Sequence, residues 1–369
     1  MDGTQYYIGI MSGTSMDGAD AVLIRMCGSR WLAAEAHGFL PYPHRLKAQL
    51  LALQDCGEDE LHRSRLLARE LAFLYAEVVR KVLEKCALPA GAVRALGCHG
   101  QTVRHAPGHG YSIQLADWAL LAEATGILTV GDFRSGDLAA GGQGAPLVPA
   151  FHQALFRSDR DVRVVLNIGG IANISVLPPD EPAFGFDTGP GNMLADAWVR
   201  HIWQRDYDDG GALAARGAVL PELLDRLFDH PYFSLPYPKS TGRELFALPY
   251  LLDKLSGGEE PCDVLRTLLA FAAESMAREI RRAAAGAREV YVCGGGIRNA
   301  TLMRELAARL PAVAVSSTAA LNLDPQWVEA AAFGWLAACW VNGLPSNPYR
   351  ATGARHPCVL GCGYYGGPL

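Results

Sequence analysis

Residues Tyr6–Met26, YYIGIMSGTSMDGADAVLIRM, contain two apolar runs on either side of a small polar loop. The runs Tyr6–Met11 and Ala19–Met26 are rich in Ile, Val and Tyr and are bounded by Gly and Ser, which predicts a β-hairpin. The first loop, Ser12–Gly18, combines hydroxyl donors with glycines that let backbone N–H groups converge, and this suits phosphate oxygens. An ordinary glycine-rich hairpin turn has the same composition, and the loop alone favours that simpler interpretation slightly.

The size and charge of the chain restrict its class. The 369 residues allow two domains and a large core, and a hydrophobic fraction of 50% with 19% charged residues is typical of a globular protein. A net charge of −5 without a basic stripe argues against a nucleic-acid surface. The N-terminal MDGTQYY predicts no signal peptide, and no long apolar run predicts a membrane span. Nine irregularly spaced cysteines predict a reduced, cytoplasmic protein rather than disulfides or a zinc site.

A strand–loop–strand pattern occurs a second time in the middle of the chain. Val162–Ile168 and Ile174–Leu177 are predicted strands, and the second loop, Gly169–Asn173, lies between them. This repetition predicts two related halves that each begin with a phosphate-facing hairpin. The two loops share little residue identity, so a chance similarity is the alternative interpretation.

Helices alternate with these strands. Apolar residues recur every three or four positions in His62–Cys86 and Leu265–Ala285, and Pro325–Val341 is a third, more uniformly apolar helix. The segment Gly131–Pro146 between them is dense in glycine and polar residues, as functional loops often are. The alternation predicts an α/β protein.

A third glycine-rich turn, Gly294–Asn299, follows the predicted strand Glu289–Cys293 and precedes a helix whose N-terminus offers free N–H groups. Together the three turns predict nucleotide binding between two lobes. The chain contains no G-x-x-x-x-G-K-[ST] motif. A G-x-G-x-x-G match at Gly361–Gly366 stands too close to the end of the sequence for a dinucleotide-binding unit.

Asp187 is the predicted catalytic residue. It ends an apolar run just before a Gly-Pro-Gly turn, and a carboxylate at a strand end can accept a proton from a hydroxyl or water. Capping of the following turn is the alternative role, and Asp17, Asp20 and Asp132 share this ambiguity. A histidine packed beneath a loop is the simpler interpretation of His99.

Nine motifs occur in one order along nearly the whole chain: IGIMSGTSMDGAD, CHGQT, GDFRSGD, GGQGAPLVP, LNIGGIAN, FDTGPGN, PKSTGRE, CGGGIRN and PQWVEAAAF. In this arrangement the sequence resembles the anhydro-N-acetylmuramic acid kinase family. The resemblance implies a two-lobed, actin/hexokinase-like ATPase fold, in which each lobe is a mixed sheet flanked by helices and the active site lies in the interdomain cleft. The expected lobes are residues 1–133 with 340–369, and residues 134–339.

The implied function is an ATP-dependent kinase of peptidoglycan recycling and amino-sugar catabolism. Such an enzyme opens 1,6-anhydro-N-acetylmuramic acid with water and phosphorylates O6 to give N-acetylmuramic acid 6-phosphate. Mg²⁺ is the implied cofactor, and a cytoplasmic homodimer is expected. The sequence departs from the family at Gly210, where an acidic residue is expected in a YDxDG-like pattern.

The resemblance also implies roles for individual residues. Asp187 is the base that activates water, and no residue is assigned to the metal. The implied ATP-binding residues are Ser12, Gly13, Thr14, Ser15, Met16, Asp17, Gly18, Ala19, Gly169, Gly170, Gly294, Gly295 and Gly296. The implied sugar-binding residues are His99, Gln101, Asp132, Arg134 and Glu329.

Three other functions are compatible with parts of this pattern. A kinase for another sugar acid would use the same frame, and an ATP-dependent conformational switch would use the same nucleotide turns. A nucleotide-independent glycoside hydrolase usually needs two carboxylates on opposite sides of the bond, and only one well-placed candidate is found.

Overall fold

A computed structural model describes residues 3–13, 16–237, 239–242 and 245–367, and the chain divides into two compact units. The first unit comprises Met1–Leu155 with Trp327–Leu369, and the second comprises Phe156–Gln326. The strands are β1 (Thr4–Ser12), β2 (Gly18–Cys27), β3 (Arg30–Pro41), β4 (Val93–Ala106), β5 (Tyr111–Leu115), β6 (Thr129–Gly131), β7 (Arg163–Ile168), β8 (Ile171–Leu177), β9 (Phe184–Pro190), β10 (Glu289–Cys293), β11 (Ala314–Ser317) and β12 (Cys362–Tyr364). The α-helices are α1 (His44–Leu51), α2 (Glu60–Lys85), α3 (Trp118–Thr125), α4 (Ser135–Ala139), α5 (Val148–Phe156), α6 (Met193–Trp203), α7 (Pro221–Phe228), α8 (Leu248–Lys254), α9 (Pro261–Ala283), α10 (Ala300–Arg309), α11 (Val328–Val341) and α12 (Tyr349–Thr352).

The sheet of the first unit has the order β12-β6-β4-β1-β2-β3, with β5 paired to β4. Strands β1, β2 and β3 form an antiparallel meander, and β4 and β6 run parallel to β1. The predicted hairpin Tyr6–Met26 is confirmed as β1 and β2. Strand β3 was not predicted, because Arg30–Pro41 mixes alanines with charged residues and lacks the Val- and Ile-rich run that marks a strand.

The sheet of the second unit repeats this arrangement with the order β11-β10-β7-β8-β9. Here β7, β8 and β9 form the antiparallel meander, and β10 and β11 run parallel to β7. The prediction of two related halves is therefore confirmed by topology. The mixed sheet with flanking helices in each half confirms the α/β class and agrees with the actin/hexokinase-like fold that the resemblance implies.

The predicted helix periodicity is confirmed on α2 and α9. Buried residues of α2 include Leu67, Leu71 and Val78 at helical spacing, whereas Leu66, which the same pattern includes, is 55% exposed. Helix α9 is buried over most of its length and belongs to the core of the second unit. None of the helices in the described ranges combines the length and apolar character that crossing a bilayer requires.

Helix α11 lies directly on the two central strands of the first sheet. A Cβ atom on Gly9 of β1 would overlap the carbonyl oxygen of Ala330, and one on Gly97 of β4 would overlap that of Phe333. Only glycine leaves room for the helix backbone at these two positions. Residues 327–339 were predicted to belong to the second lobe, but they belong to the first unit, as this packing of α11 requires. Residues 134–155, also predicted in the second lobe, belong to the first unit as well.

Replacing Gly97 with alanine should destabilise the first unit, because the added methyl group must displace α11 from β4. We expect the free energy of unfolding to fall by about 1–3 kcal/mol or more, seen as a lower melting temperature by circular dichroism. Gly91→Ala is the matched control, since a Cβ there meets no atom within 4 Å. A Gly97→Ala protein that melts with the wild type would contradict this packing.

Candidate active site

The first loop is supported by a chain of buried hydroxyl groups. The Ser12 hydroxyl hydrogen-bonds to the Tyr42 hydroxyl at 2.6 Å, and Tyr42 in turn to that of Tyr75 on α2 at 3.1 Å. Burial raises the pKa of both tyrosines, that of Tyr42 to about 12, so both stay protonated and can donate. The Ser12 hydroxyl also donates to the Gln101 side chain. The side chain of Ser12 therefore faces the interior and fixes the end of β1.

The other residues of the first loop differ in how far they reach the surface. Met16 and Ala19 are fully buried in the core of the first unit, and Met16 has a left-handed φ of +53°. The exposed Asp17 pairs with Lys47 at 2.7 Å. An apolar residue can offer a phosphate only its backbone N–H group, and that of Met16 already donates to the carbonyl oxygen of Gly13 at 3.2 Å. The predicted ATP contacts Thr14 and Ser15 lie outside the described residues.

Strand β4 continues through the CHGQT motif, residues Cys98–Thr102. Gln101 is fully buried, and its amide group donates to the carbonyl oxygen of Gly13 at 3.2 Å. This side chain thus connects β4 to the first loop.

His99 and Arg134 form a buried polar pair. Arg134 donates from Nη2 to Nε2 of His99 at 2.8 Å and from Nη1 to the carbonyl oxygen of Gly144 at 2.6 Å. Burial, followed by the charge of Arg134, lowers the pKa of His99 well below its usual value, so the imidazole is neutral and carries its proton on Nδ1. Its ring packs against Phe333 of α11, with centroids 4.7 Å apart.

The guanidinium of Arg134 retains unused donor capacity. Its Nε atom is buried and has no hydrogen-bond partner among the described residues. Burial lowers the pKa of Arg134 to about 10, and the nearby carboxylate of Glu329, at the start of α11, acts in the opposite direction. The predicted sugar-binding residues His99, Arg134 and Glu329 are therefore neighbours. Asp132, with φ +54°, instead accepts a hydrogen bond from Ser135 at 2.6 Å.

Asp137 anchors the glycine-rich segment that carries Arg134. Its fully buried carboxylate accepts hydrogen bonds from the Gly144 N–H at 2.8 Å, the Thr352 hydroxyl at 2.7 Å and the Asn347 amide at 3.1 Å. The bonds to Thr352 and Asn347 join residues more than 200 positions apart in the chain, which is why sequence reasoning missed Asp137. The carboxylate holds Gly144, which in turn accepts from Arg134.

In the second unit, the second loop is shorter than predicted. Ala172 and Asn173 pair with Ile168 and Asn167 as part of β8, so only Gly169 and Gly170 connect the strands. The carbonyl oxygens of these two glycines accept hydrogen bonds from the backbone N–H groups of the turn after β9, at 2.8–3.1 Å. The GPGN turn therefore clamps the loop and joins it to the strand that carries Asp187.

Asp187 lies on β9 with most of its side chain buried. Burial raises the pKa of its carboxyl to about 6, and the Thr241 N–H, which donates to Oδ2 at 3.0 Å, lowers it in part. The backbone is fixed as well, since the Asp187 N–H donates to the carbonyl oxygen of Lys239 at 3.0 Å. A carboxylate with a pKa near 6 is a stronger base than a free aspartate and is still ionised at neutral pH.

The third turn, Gly294–Asn299, is packed on the end of β7. The Gly294 N–H donates to the carbonyl oxygen of Pro325, and a Cβ on Gly296 would overlap Ile168. Gly295, by contrast, has open space around its Cα. Asn299 caps α10 by accepting the Leu302 N–H at 2.9 Å. Of the three predicted ATP-binding glycines here, Gly295 is the one with room for a ligand against its backbone.

The loop Tyr207–Gly217 supports this third turn. The Thr301 hydroxyl of α10 donates to the carbonyl oxygen of Gly211 at 2.9 Å. Asp208 closes the loop by accepting the N–H groups of Leu213 and Ala214. Gly210, where the family pattern suggests an acidic residue, has a φ of +63°. A Cβ atom at this position would meet no atom within 4 Å, so the loop loses no packing contact by having glycine here.

Comparisons with known proteins cover almost the whole chain. The sequence pattern of one family, described as anhydro-N-acetylmuramic acid kinase, matches residues 5–366. A Neisseria meningitidis serogroup C protein named anhydro-N-acetylmuramic acid kinase is 68% identical over 98% of this chain and 99% of its own. A Chromobacterium violaceum protein of the same name is 49% identical over the same shares. The matched region includes all three glycine-bearing turns and Asp187.

Two solved structures are similar at 13% sequence identity. One is the activator of 2-hydroxyisocaproyl-CoA dehydratase from Clostridium difficile with bound ADPNP, with a TM-score of 0.47 over 90% of this chain and 94% of that one. The other is component A of (R)-2-hydroxyglutaryl-CoA dehydratase from Acidaminococcus fermentans, with a TM-score of 0.48 over 91% and 99%.

Replacing Tyr42 with phenylalanine should destabilise the first unit, because it removes the hydroxyl between Ser12 and Tyr75 and leaves two buried groups short of a partner. We expect a loss of about 1–3 kcal/mol in the free energy of unfolding, measured by thermal melting. Tyr365→Phe, at a position 67% exposed, is the control and should melt with the wild type. Equal melting of all three proteins would show that the hydroxyl chain does not support the loop.

Proposed function

Since the chain belongs to the anhydro-N-acetylmuramic acid kinase family, we propose that it opens 1,6-anhydro-N-acetylmuramic acid and phosphorylates O6, with Asp187 as the base that activates water. The observation that carries this proposal is the buried carboxyl of Asp187, whose pKa lies near 6. Such a group is ionised at neutral pH and can take a proton from water. The product is N-acetylmuramic acid 6-phosphate, the compound expected in peptidoglycan recycling.

The proposed reaction exchanges bonds at carbon and at phosphorus. The oxygen of water forms a bond to the anomeric carbon, its proton passes to Asp187, and the bond between that carbon and O6 breaks. The electron pair left on O6 forms the bond to the γ-phosphorus of ATP. ADP leaves with the electrons of the broken bridging bond. Asp187 therefore assists the step at carbon, and the phosphoryl group is stabilised by other groups.

Backbone N–H groups of the glycine-bearing turns are the proposed phosphate contacts, except those of Gly169 and Gly294, which already donate to the carbonyl oxygens of Ile171 and Pro325. The carbonyl oxygens of Gly169 and Gly170 accept hydrogen bonds from the GPGN turn, and these bonds fix the orientation of the second loop. Gly295 has open space around it, as a turn facing a nucleotide requires. Fixed N–H dipoles can stabilise charge that develops on a transferring phosphoryl group without reorganisation. These roles and those of the first loop are proposals from the family and the geometry.

Mg²⁺ is proposed as the cofactor. Within the described ranges, no group of three or more His, Cys, Asp and Glu side chains is placed to hold a metal ion. Mg²⁺ does not require such a group, because it commonly takes one or two carboxylates and otherwise waters and substrate phosphates. The ion would neutralise charge on the phosphates, and no residue of this chain is assigned to it.

Arg134 is the proposed partner of the lactyl carboxylate that distinguishes muramic acid from glucosamine. Its buried Nε–H has no hydrogen-bond partner in the described part of the chain, and the guanidinium is held in place by His99 and Gly144. A planar, preorganised fork of this kind matches a carboxylate. Contacts of His99, Gln101, Asp132 and Glu329 with the sugar, and a cytoplasmic homodimer, are proposed from the family resemblance alone.

Asp187→Asn should abolish turnover while leaving folding nearly unchanged, because the amide cannot accept the proton. In the wild type, kcat/KM should fall about tenfold per pH unit below pH 6, since Asp187 is protonated there. Turnover is measured by coupling ADP release to an optical assay with the anhydro sugar and, separately, with open N-acetylmuramic acid.

The matched control is Asp196→Asn. Burial also raises the pKa of Asp196, in the same unit, to about 6, but this residue has no proposed part in the reaction. Its variant should keep both turnover and the acid limb of the pH profile. Wild-type turnover in Asp187→Asn would remove the proposed base, and activity on the open sugar alone would point to a kinase for another sugar acid.

Arg134→Lys tests recognition of the carboxylate. Lysine keeps a charge but loses the planar fork, so KM for the anhydro-muramic substrate should rise about tenfold, as the loss of one charge-assisted hydrogen bond predicts. For 1,6-anhydro-N-acetylglucosamine, which lacks the lactyl group, KM should be the same in variant and wild type. An equal rise with both sugars would show that Arg134 supports the site without reading the carboxylate.

A further inference from the structure

We propose that the buried ion pair of Lys239 and Glu279 is a positioning device that sets the geometry and the proton affinity of Asp187. This inference rests on the proposed role of Asp187 as the base. Lys239 belongs to the PKSTGRE motif, to which the reaction described so far assigns no task.

The segment that begins at Lys239 holds Asp187 on two sides. The backbone N–H of Asp187 donates to the carbonyl oxygen of Lys239 at 3.0 Å. Two residues later, the Thr241 N–H donates to Oδ2 of Asp187 at 3.0 Å. The position of this segment therefore decides both where the carboxylate lies and whether Oδ2 keeps its donor.

The buried side chain of Lys239 holds this segment in place through its contacts with Glu279 and Tyr232. It is only 2% exposed, and its Nζ lies 2.8 Å from Oε1 of Glu279, which is 5% exposed on α9. Nζ also donates to the carbonyl oxygen of Tyr232 at 3.1 Å and lies 4.5 Å from the centre of the Tyr232 ring. The Tyr232 hydroxyl in turn donates to the carbonyl oxygen of Asp187 at 2.6 Å. The contacts thus run from α9 through Lys239 and Tyr232 back to Asp187.

A gain in folding stability is a poor explanation for the presence of a buried ion pair. Removing two charges from water costs about as much as their attraction returns, so apolar residues of similar volume often serve a core equally well or better. What the pair adds is a fixed direction, because Lys239 must satisfy Glu279 and Tyr232 together. Without these two contacts, the polar segment that begins at Lys239 could adopt several positions, because it lies in a stretch of proline and small residues.

The charged and titratable groups around the carboxylate are few in the described residues. Lys239 and Tyr232 face the backbone of Asp187, and Thr241 donates to its side chain. Glu279 faces Lys239, and Arg282, which is partly exposed, lies 3.5 Å from the second oxygen of Glu279. Tyr232 stays neutral, since burial raises its pKa. A change in the pH profile after removal of the pair therefore reports on the Thr241 contact and the position of Asp187.

The test is a double variant, Lys239→Met with Glu279→Met, which removes both charges at similar volume so that no uncompensated charge is left in the core. We expect its melting temperature to stay near that of the wild type and kcat/KM to fall about 10- to 100-fold, the loss that a misplacement of about 1 Å can produce. The acid limb of the profile should move to higher pH, because the Thr241 N–H that lowers the pKa of Asp187 is no longer held in place.

Two further variants separate positioning from general stability. Lys239→Arg keeps the charge and should keep the acid limb at the wild-type pH. Glu305→Gln breaks another largely buried carboxylate pairing in the same unit, with Arg266 and Arg309, and should lower the melting temperature without moving the limb. If the double variant does not fold, Lys239→Gln with Glu279→Gln gives the same comparison, since the amide at position 239 can donate to Tyr232 and neither side chain carries a charge.

Wild-type kcat/KM and an unmoved acid limb in the folded double variant would overturn the inference and leave the pair as core packing. That result, together with an inactive Asp187→Asn protein, would reject the positioning role alone. Turnover in Asp187→Asn would reject the base itself, and with it this inference. The two failures are therefore distinguishable.

Discussion

Close contact between backbones, at positions where only glycine fits, is the constraint on which both units depend. In the first unit, Gly97 lets α11 rest on the central strands, and this brings Phe333 against His99 and Glu329 towards Arg134. In the second, a Cβ on Gly191 would overlap the carbonyl oxygen of Gly169, so the turn after β9 can bind the second loop. The same feature thus positions polar groups in each half of the chain.

Burial then gives these polar groups their chemistry. The carboxyl of Asp187 is withdrawn from water and becomes a stronger base, with a pKa of about 6, while the guanidinium of Arg134 has its pKa lowered to about 10 and still remains charged. In both cases a hydrogen bond to the backbone fixes the direction of the group. Desolvation makes such groups effective, and the hydrogen bonds make them specific.

Local pattern predicted much of this arrangement. The hairpin at Tyr6–Met26, the strand Glu289–Cys293 and the helix periodicity of α9 follow from nearby residues, and so could be read directly. Strand β3 has no strong pattern of its own, and its pairing with β2, rather than its composition, stabilises it. The contacts of Asp137, Lys239 and Tyr42 join distant segments, and no local signal marks a polar residue as buried and paired. The apolar run before a Gly-Pro-Gly turn already singled out Asp187 and the family motifs gave it a role, but its raised pKa is a property of the folded chain.

The central claim is that water attacks the anomeric carbon and that O6 of the sugar attacks phosphorus. Turnover in water enriched in oxygen-18, followed by rapid reduction of the sugar and mass spectrometry, tests this claim directly. We predict one labelled oxygen on the anomeric carbon and none in the phosphoryl group. Label in the phosphoryl group, with none on the carbon, would show that water attacks phosphorus and would contradict the assignment of Asp187.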